Sequence, residues 1–472
     1  MPNAIAYLAL ILWPIVTFAL FASMRPEKAL IWSLMGGYLV LPVNTSFDFP
    51  GVPALDKTSI PNISALIGAL LFSKGLVVRL PREWWVVALM GIYVVSPLFT
   101  VLTNRDAVQY GSFILPGLRP YDAFSAAAYK AIDLIPFVLG YNMLKDPRAQ
   151  DYLLRALVLA ALGYSLLMLA EIRLSPQLHA TIYGFFPHSF AQQVRDGGFR
   201  PVVFLGHGLE VAIFTTLATI ATAYLAKRRI HVFGISAWIW LAYLAIILVL
   251  CRSLGALVLG CMAVGMIFLV RQAGLRMICT VVAAVVLAYP ILRGADIVPV
   301  QAIADQVATV SEERAESFQF RINNEKLLLD HANKRALFGW GGYGRNRVFD
   351  DTGSDLSVTD GTWIIIIGSN GWLGYIAAFG LLCLPVFLLG LKRGPVSAAS
   401  AAVSLLLAVN LLDNLPNSSV IPFTWLMAGM LASRRRPSKR LAKPINRPGA
   451  EVDLTARTQH NRELPGPGVL SQ

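Results

Sequence analysis

Long apolar runs, each near or above the length that crosses about 30 Å of hydrocarbon, recur along the whole chain. They predict twelve or thirteen membrane helices over about 5–23, 29–43, 62–78, 84–103, 127–144, 152–171, 202–226, 232–250, 253–270, 277–292, 363–391, 396–412 and 420–433. Gly368 and Gly374 are placed to break the eleventh of these, and the last is the shortest. One polar stretch interrupts the pattern. It runs from Arg293 to Gly361, is rich in Arg, Asp, Glu and Gly, and separates two strongly apolar segments. Membrane connections are usually short, so a charged connection of this length points to function. The expected fold class is all-α, a polytopic membrane helix bundle with one long external loop. Its parts are the first ten helices (1–292), the loop with short helices (293–361), the last three helices (362–433) and a basic tail (434–472).

Composition narrows the class. The 472 residues are 56% hydrophobic and 14% charged, with mean hydropathy +0.61. A soluble domain carries roughly 25% charged residues, so an ordinary soluble globule is excluded. The first apolar run lacks a basic leader and a small-residue cleavage site, and reads as a span and not a signal peptide. The four cysteines, Cys251, Cys261, Cys279 and Cys383, lie in or beside apolar runs without metal-site spacing, and read as small apolar residues.

Charge gives the topology. Basic clusters recur in alternate short connections: Arg25 and Lys28, Arg79 and Arg82, Lys145 and Arg148, Lys227 to Arg229, Arg271 and Arg276, Lys392 and Arg393. The connections on the alternate side are poorer in Lys and Arg relative to their length, so the basic set is expected in the cytoplasm. The N-terminus and the long loop then fall outside and the C-terminus inside. The tail from Arg434 has no apolar period and is expected to be a disordered cytoplasmic extension near anionic headgroups. On this reading the net charge of +13 reports topology, and no nucleic acid is expected as partner.

Several external residues could carry chemistry. Arg200 precedes the seventh span, Arg252 stands between two apolar runs, Arg321 begins a predicted helix in the long loop, and Arg345 and Arg347 follow a glycine cluster. A guanidinium held near the bilayer without a carboxylate calls for an anion, and its planar fork matches phosphate oxygens. The plainer reading is an interfacial anchor or a solvated loop residue. The cluster Gly339-Trp340-Gly341-Gly342-Tyr343-Gly344 lacks the Lys-Ser/Thr end of a phosphate loop, so it is not a nucleotide site. Its glycines allow a close backbone approach and Trp340 and Tyr343 could stack on sugars; otherwise it is a tight turn.

Asp360, just before the eleventh span, could cap that helix or serve as a general base. His207 and Glu210 lie one helical turn apart without a third ligand, which suits structural hydrogen bonding better than a metal site. Lys130 and Asp133, three apart in the fifth span, read as a mutually neutralising pair, with a proton relay as the alternative.

The stretch from Arg321 to Leu382, with ALFGWGGYGRNR and then SNGWLGYIAAFGLL, resembles the O-antigen ligase/polymerase superfamily of bacterial envelope glycosyltransferases. Members commonly show Pro-Leu-hydrophobic-Gly-x-Gly-x-Gly, then His-Asn, then Gly-hydrophobic-hydrophobic-Gly about eleven residues on. Gly371-Trp372-Leu373-Gly374 matches the last element, and counting back eleven reaches Asp360 where the family has its proposed histidine base. CRSLGALVLG with Arg252 and FRPVVFLGHGLEVAIF with Arg200 are similar to the family's segments that supply external arginines. The motifs cover about residues 195–385.

The resemblance implies a metal-independent transferase without a cofactor, in the inner membrane of a bacterium. Its donor would be a glycan on undecaprenyl diphosphate and its acceptor a second glycan, among membrane lipids and polysaccharide assembly proteins. Arg200, Arg252 and Arg321 would hold the diphosphate, with Asp360 as base and Arg345, Arg347, Trp340, Tyr343, His207 and Glu210 around the substrate. The missing histidine leans towards a polymerase of exopolysaccharide or O-antigen type and away from a lipopolysaccharide ligase. A lipid-linked sugar flippase or transporter is the rival class.

Overall fold

The computed structural model describes residues 1–49, 53–73, 78–195, 197–309, 312–392, 394–418 and 420–433. The tail expected from residue 434 onward lies outside the described residues. Seventeen α-helices are described: α1 (Ala4–Ser23), α2 (Pro26–Val40), α3 (Ser59–Phe72), α4 (Trp84–Leu102), α5 (Pro120–Asp133), α6 (Ile135–Met143), α7 (Pro147–Leu174), α8 (Leu178–Tyr183), α9 (Gly208–Lys227), α10 (Ala237–Leu250), α11 (Leu254–Leu269), α12 (Gln272–Gly294), α13 (Val300–Ala308), α14 (Glu312–Asn333), α15 (Thr362–Leu391), α16 (Ala398–Asp413) and α17 (Pro422–Ala432). Four short antiparallel hairpins join them; the one used below pairs Val194–Arg195 with Gly198–Phe199.

Seven stretches are long and apolar enough to cross a membrane: α1, α4, α5 with α6, α7, α9, α12 and α15. Their outer faces are apolar too. On α1, Ile5, Leu8, Ile11, Leu12, Ile15 and Val16 are all exposed, a surface that is stable against lipid and not against water. The architecture is that of a multi-pass membrane protein. Each of the other expected spans also contains a helix, but these run from 11 to 16 residues.

Helix α9 is the axis of the bundle, buried along nearly its whole length and packed on α7, α10, α11 and α16. Its threonines Thr215, Thr216, Thr219 and Thr222 return their hydroxyls to carbonyls four residues earlier at 2.7–3.0 Å. Polar side chains thereby enter the core without orphaned donors.

Two spans differ from the sequence reading, and a third breaks inside the stretch that its glycines mark. The seventh begins at Gly208, because Pro201 to His207 run as irregular backbone. The fifth is interrupted at Leu134, just before Pro136, whose ring cannot continue a helix from within. The eleventh breaks at Gly371, with φ 68° and ψ −173°, values open to glycine and costly for other residues.

The glycine-rich loop splints that break. Trp340 and Gly341 amides donate to the Gly368 and Ser369 carbonyls at 2.8 and 2.9 Å, while Trp372 and Leu373 amides donate to Ala336 and Leu337 at 2.8 and 3.2 Å. Gly339 and Gly341 have φ 72° and 89°, and a side chain on Gly339 would strike the Ser369–Gly371 backbone. In the long polar connection the helix holding Arg321 starts at Glu312, nine residues before the sequence suggested, and spans 22 residues.

Candidate functional site

Of the five expected arginines, Arg200 and Arg321 line one cavity of about 900 Å³, joined there by Arg195. It sits where α2 and α16 end and where α9 and α15 begin, with α14 across it. Among its lining residues are His188, Arg195, Arg200, His207, Glu210, Arg321, Asp360 and Asn417. Helices α2, α9 and α15 carry their basic clusters at the opposite ends, so cavity and basic clusters occupy opposite faces of the bundle.

The irregular segment before α9 supplies half of the site, and buried groups of α7 hold it. Glu171 accepts from the Val202 and Val203 amides, both at 2.7 Å, and from Leu178 at 2.9 Å; Tyr164 accepts from Phe204 at 3.0 Å. Lys57 donates to the Phe204 carbonyl at 2.7 Å, and burial draws its ammonium down to about 7 against the attraction of Glu210. Irregular backbone at membrane depth persists only where such partners or a polar cavity satisfy it.

Arg200 leaves the hairpin with its guanidinium Nε and Nη2 on the Arg252 carbonyl at 3.2 and 2.9 Å. Arg252 itself does not line the cavity. It occupies the tight turn between α10 and α11 with φ 52°, and its Nη1 donates to the Arg195 carbonyl at 2.8 Å. Its guanidinium lies on Gly198, where a side chain would collide with it. Arg252 thus braces Arg195 and Arg200 from behind.

His207 is the N-cap of α9: Nδ1 accepts from the Leu209 amide at 3.0 Å. That assigns the proton to Nε2, which donates to Gln192 at 3.3 Å. Burial, then the neighbouring His188, Arg200 and Arg321, lowers its pKa from 6.5 to about 4. It is therefore a neutral donor and not a cation. Glu210, one turn on, accepts from the Gly206 amide at 3.3 Å.

Across the cavity, Arg321 donates from Nη1 to the Pro416 carbonyl and Asn417 Oδ1, both at 3.3 Å, and its Nε lies 3.5 Å from Asp360 Oδ2. Arg321 is thus not the carboxylate-free guanidinium that the sequence suggested. Asp360 is not the cap of α15 either. Gly361 holds that position, and the Thr362 amide donates to the Asn414 and Asn417 carbonyls at 3.1 and 3.0 Å.

The other expected residues lie elsewhere. Arg345 is buried, donating to the carbonyls of Trp340, Asp106 and Pro116 at 3.2, 3.0 and 2.9 Å. Arg347 pairs with Asp355 at 2.6 Å. Trp340 stacks with His331 at 4.4 Å, and the Arg335 guanidinium also lies 4.4 Å from its ring. Tyr343 donates to Asp122 at 3.2 Å and borders a second cavity of about 420 Å³, together with Lys130, Asp133 and Asn370. There Lys130 donates to Ser96 and Asn370 at 3.1 and 3.0 Å and lies over the Tyr93 ring; no hydrogen bond or ion pair joins it to Asp133 among the described residues.

Arg195, His188, Gln192, Asn417, Lys57 and Glu171 escaped the sequence reading. Only Glu171 carried a usable signal, an acid inside an apolar span. No cluster of metal-ligating side chains occurs among the described residues. No protein-family model matches the chain, and no curated protein matches it. Fold and site therefore define a multi-pass membrane protein with a basic cavity at one end of its helix bundle.

Proposed function

We propose that the chain is a membrane transferase acting on a polyprenyl-diphosphate-linked glycan at the cavity of Arg195, Arg200 and Arg321. The carrying observation is convergence: three arginines from two distant segments face one cavity together with two carboxylates, Glu210 and Asp360. Basic groups in a partly buried cleft suit a diphosphate and the charge that grows on it as it leaves. Of the expected clamp, Arg200 and Arg321 would touch the diphosphate, with Arg252 positioning Arg200 through its carbonyl.

The hydroxyl oxygen of an acceptor sugar would attack the anomeric carbon of the donor. The bond from that carbon to the diphosphate breaks, polyprenyl diphosphate departs, and the hydroxyl proton goes to a carboxylate. Asp360 is the proposed base, as the resemblance to the O-antigen ligase/polymerase superfamily implies. The positive-inside pattern supports placing this face in the periplasm of the bacterial inner membrane, with 12 or 13 spans and the 293–361 connection outside.

The test compares Asp360→Asn with Glu210→Gln in cells, scoring lipid-linked single repeat units against long polymer. A lost base leaves single units and no polymer. We expect this for Asp360→Asn; normal polymer there together with its loss in Glu210→Gln would move the base to Glu210.

A second reading has its own support. The break in α15 beside Lys130 is of the kind that lines substrate paths in transporters, which favours a lipid-linked sugar transporter. Intact polymerisation of externally supplied lipid-linked units by the purified protein would reject it.

A further inference from the structure

We propose that the cavity at the opposite, basic end of the bundle binds an anionic phospholipid. This cavity of about 550 Å³ lies among the ends of α7, α9, α11, α12 and α16, far along α9 from the arginine cavity. Its mouth and its walls differ in chemistry. At the mouth stand Lys227 and Arg228 of the α9 terminus and Asp151 of α7. Arg228 pairs with Asp151 at 3.3 Å and donates to Tyr224 at 2.7 Å. Lys227 donates only to the Ile267 carbonyl, with no carboxylate bonded to it among the described residues. The mouth therefore holds one positive charge in excess.

The walls are apolar: Ile267, Val270 and Leu275 on one side, Ala398, Ala399 and Ala402 of α16 on the other. Alanines leave space along this wall, and the neighbouring Leu269 is largely exposed, as a residue facing lipid would be. A phosphate placed at Lys227 would carry its chains down this wall. Basic pockets between membrane helices are suited to such headgroups. Inorganic phosphate shares the charge but offers nothing to the walls, which separates the two sources.

The experiment is native mass spectrometry of the full-length protein in detergent, titrated with phosphatidylglycerol and, separately, phosphatidylcholine. Phosphatidylglycerol adducts should dominate. Lys227→Ala should weaken them about fivefold, the equivalent of one basic residue at a membrane surface. Ala398→Trp, which fills the wall and keeps every charge, should weaken them at least as much. Thermal melting of each variant checks that it is folded. Lys28→Ala, a basic change on the same face outside the cavity, should leave the adducts unchanged. Equal loss in Lys28→Ala would reduce the effect to diffuse surface attraction and overturn the site. Unchanged adducts in Ala398→Trp would also overturn it, as would displacement by millimolar inorganic phosphate, which would make this an ion site.

Discussion

Arg321 and Arg345 come from the same polar connection, yet their guanidinium groups end in opposite circumstances. Arg345 is almost wholly enclosed, with its donors directed at three main-chain carbonyls and at Asn104 Oδ1. Arg321 reaches into a cavity, with long contacts to Pro416, Asn417 and Asp360 that leave the guanidinium partly open. The first arrangement stores stability by satisfying buried acceptors. The second leaves a cation at the edge of an apolar bundle, where a ligand anion gains more than it would in water. What separates a structural arginine from a candidate site arginine is the destination of its five donors, and sequence does not print that.

The largest effect expected from this contrast is on activity. Arg321→Ala and Arg200→Ala should each lower polymer formation about 30- to 1,000-fold, the loss of about 2–4 kcal/mol of transition-state stabilisation. Polymer is to be measured per unit of folded protein in the membrane. Lysine at either position should restore little, since an ammonium cannot form the paired contact. Near-normal polymer in both alanine variants would erase the distinction drawn here.

Arg345→Ala should show the reverse pattern. Leaving its carbonyls unpaired costs about 3 kcal/mol of stability, visible as a lower melting temperature in detergent, while polymer per folded molecule stays near normal. A dead but stable Arg345→Ala would bring the glycine loop into the active region.

Glu171→Gln sharpens the comparison from the scaffold side. The carboxylate serves three amides, and an amide side chain has one acceptor oxygen in place of two, at a cost of about 1–3 kcal/mol. Hydrogen exchange at Val202 to Phe204 should speed up while α16 keeps its protection. Equal protection of both segments in the variant would show that Glu171 does not hold the irregular turn.

How legible all this was depends on the kind of information. The helices were readable because lipid-facing surface must be apolar: every expected span contains a helix, and seven stretches are long and apolar enough to cross a membrane. The break at Gly371 was readable because two glycines flank an otherwise continuous apolar run. The start of α9 was not, since VVFLG is as apolar as a helix and only buried Glu171 and Tyr164 make its irregular path stable. For the glycine cluster the sequence leaves a ligand platform and a tight turn both open, and in the fold its backbone is bonded to α15. Local sequence gave its flexibility and not its partner. Arg195 and Asn417 were missed for the same reason, as both matter only through what lies opposite them.

The smallest expected effect tests the electrostatics of the cavity. The His207 imidazole is held neutral by burial and by the cations around it, with its pKa near 4 in the folded chain against an ordinary 6.5. The sign follows from proton uptake. Between about pH 6.5 and 4 the unfolded chain binds a proton that the folded chain refuses, so stability falls as pH falls through that window. Protonation at Nδ1 would in addition end the bond from the Leu209 amide that caps α9. Asn caps nearly as well as any residue and does not titrate, so His207→Asn should match the parent within a few tenths of a kcal/mol at neutral pH. Below about pH 6 its melting temperature should decline less steeply than the parent's. The comparison isolates one imidazole, because every other side chain lining the cavity is the same in both proteins. Parallel declines would mean that neither burial nor the neighbouring His188, Arg200 and Arg321 holds His207 neutral, and with that the case for a positive field in this cavity would weaken.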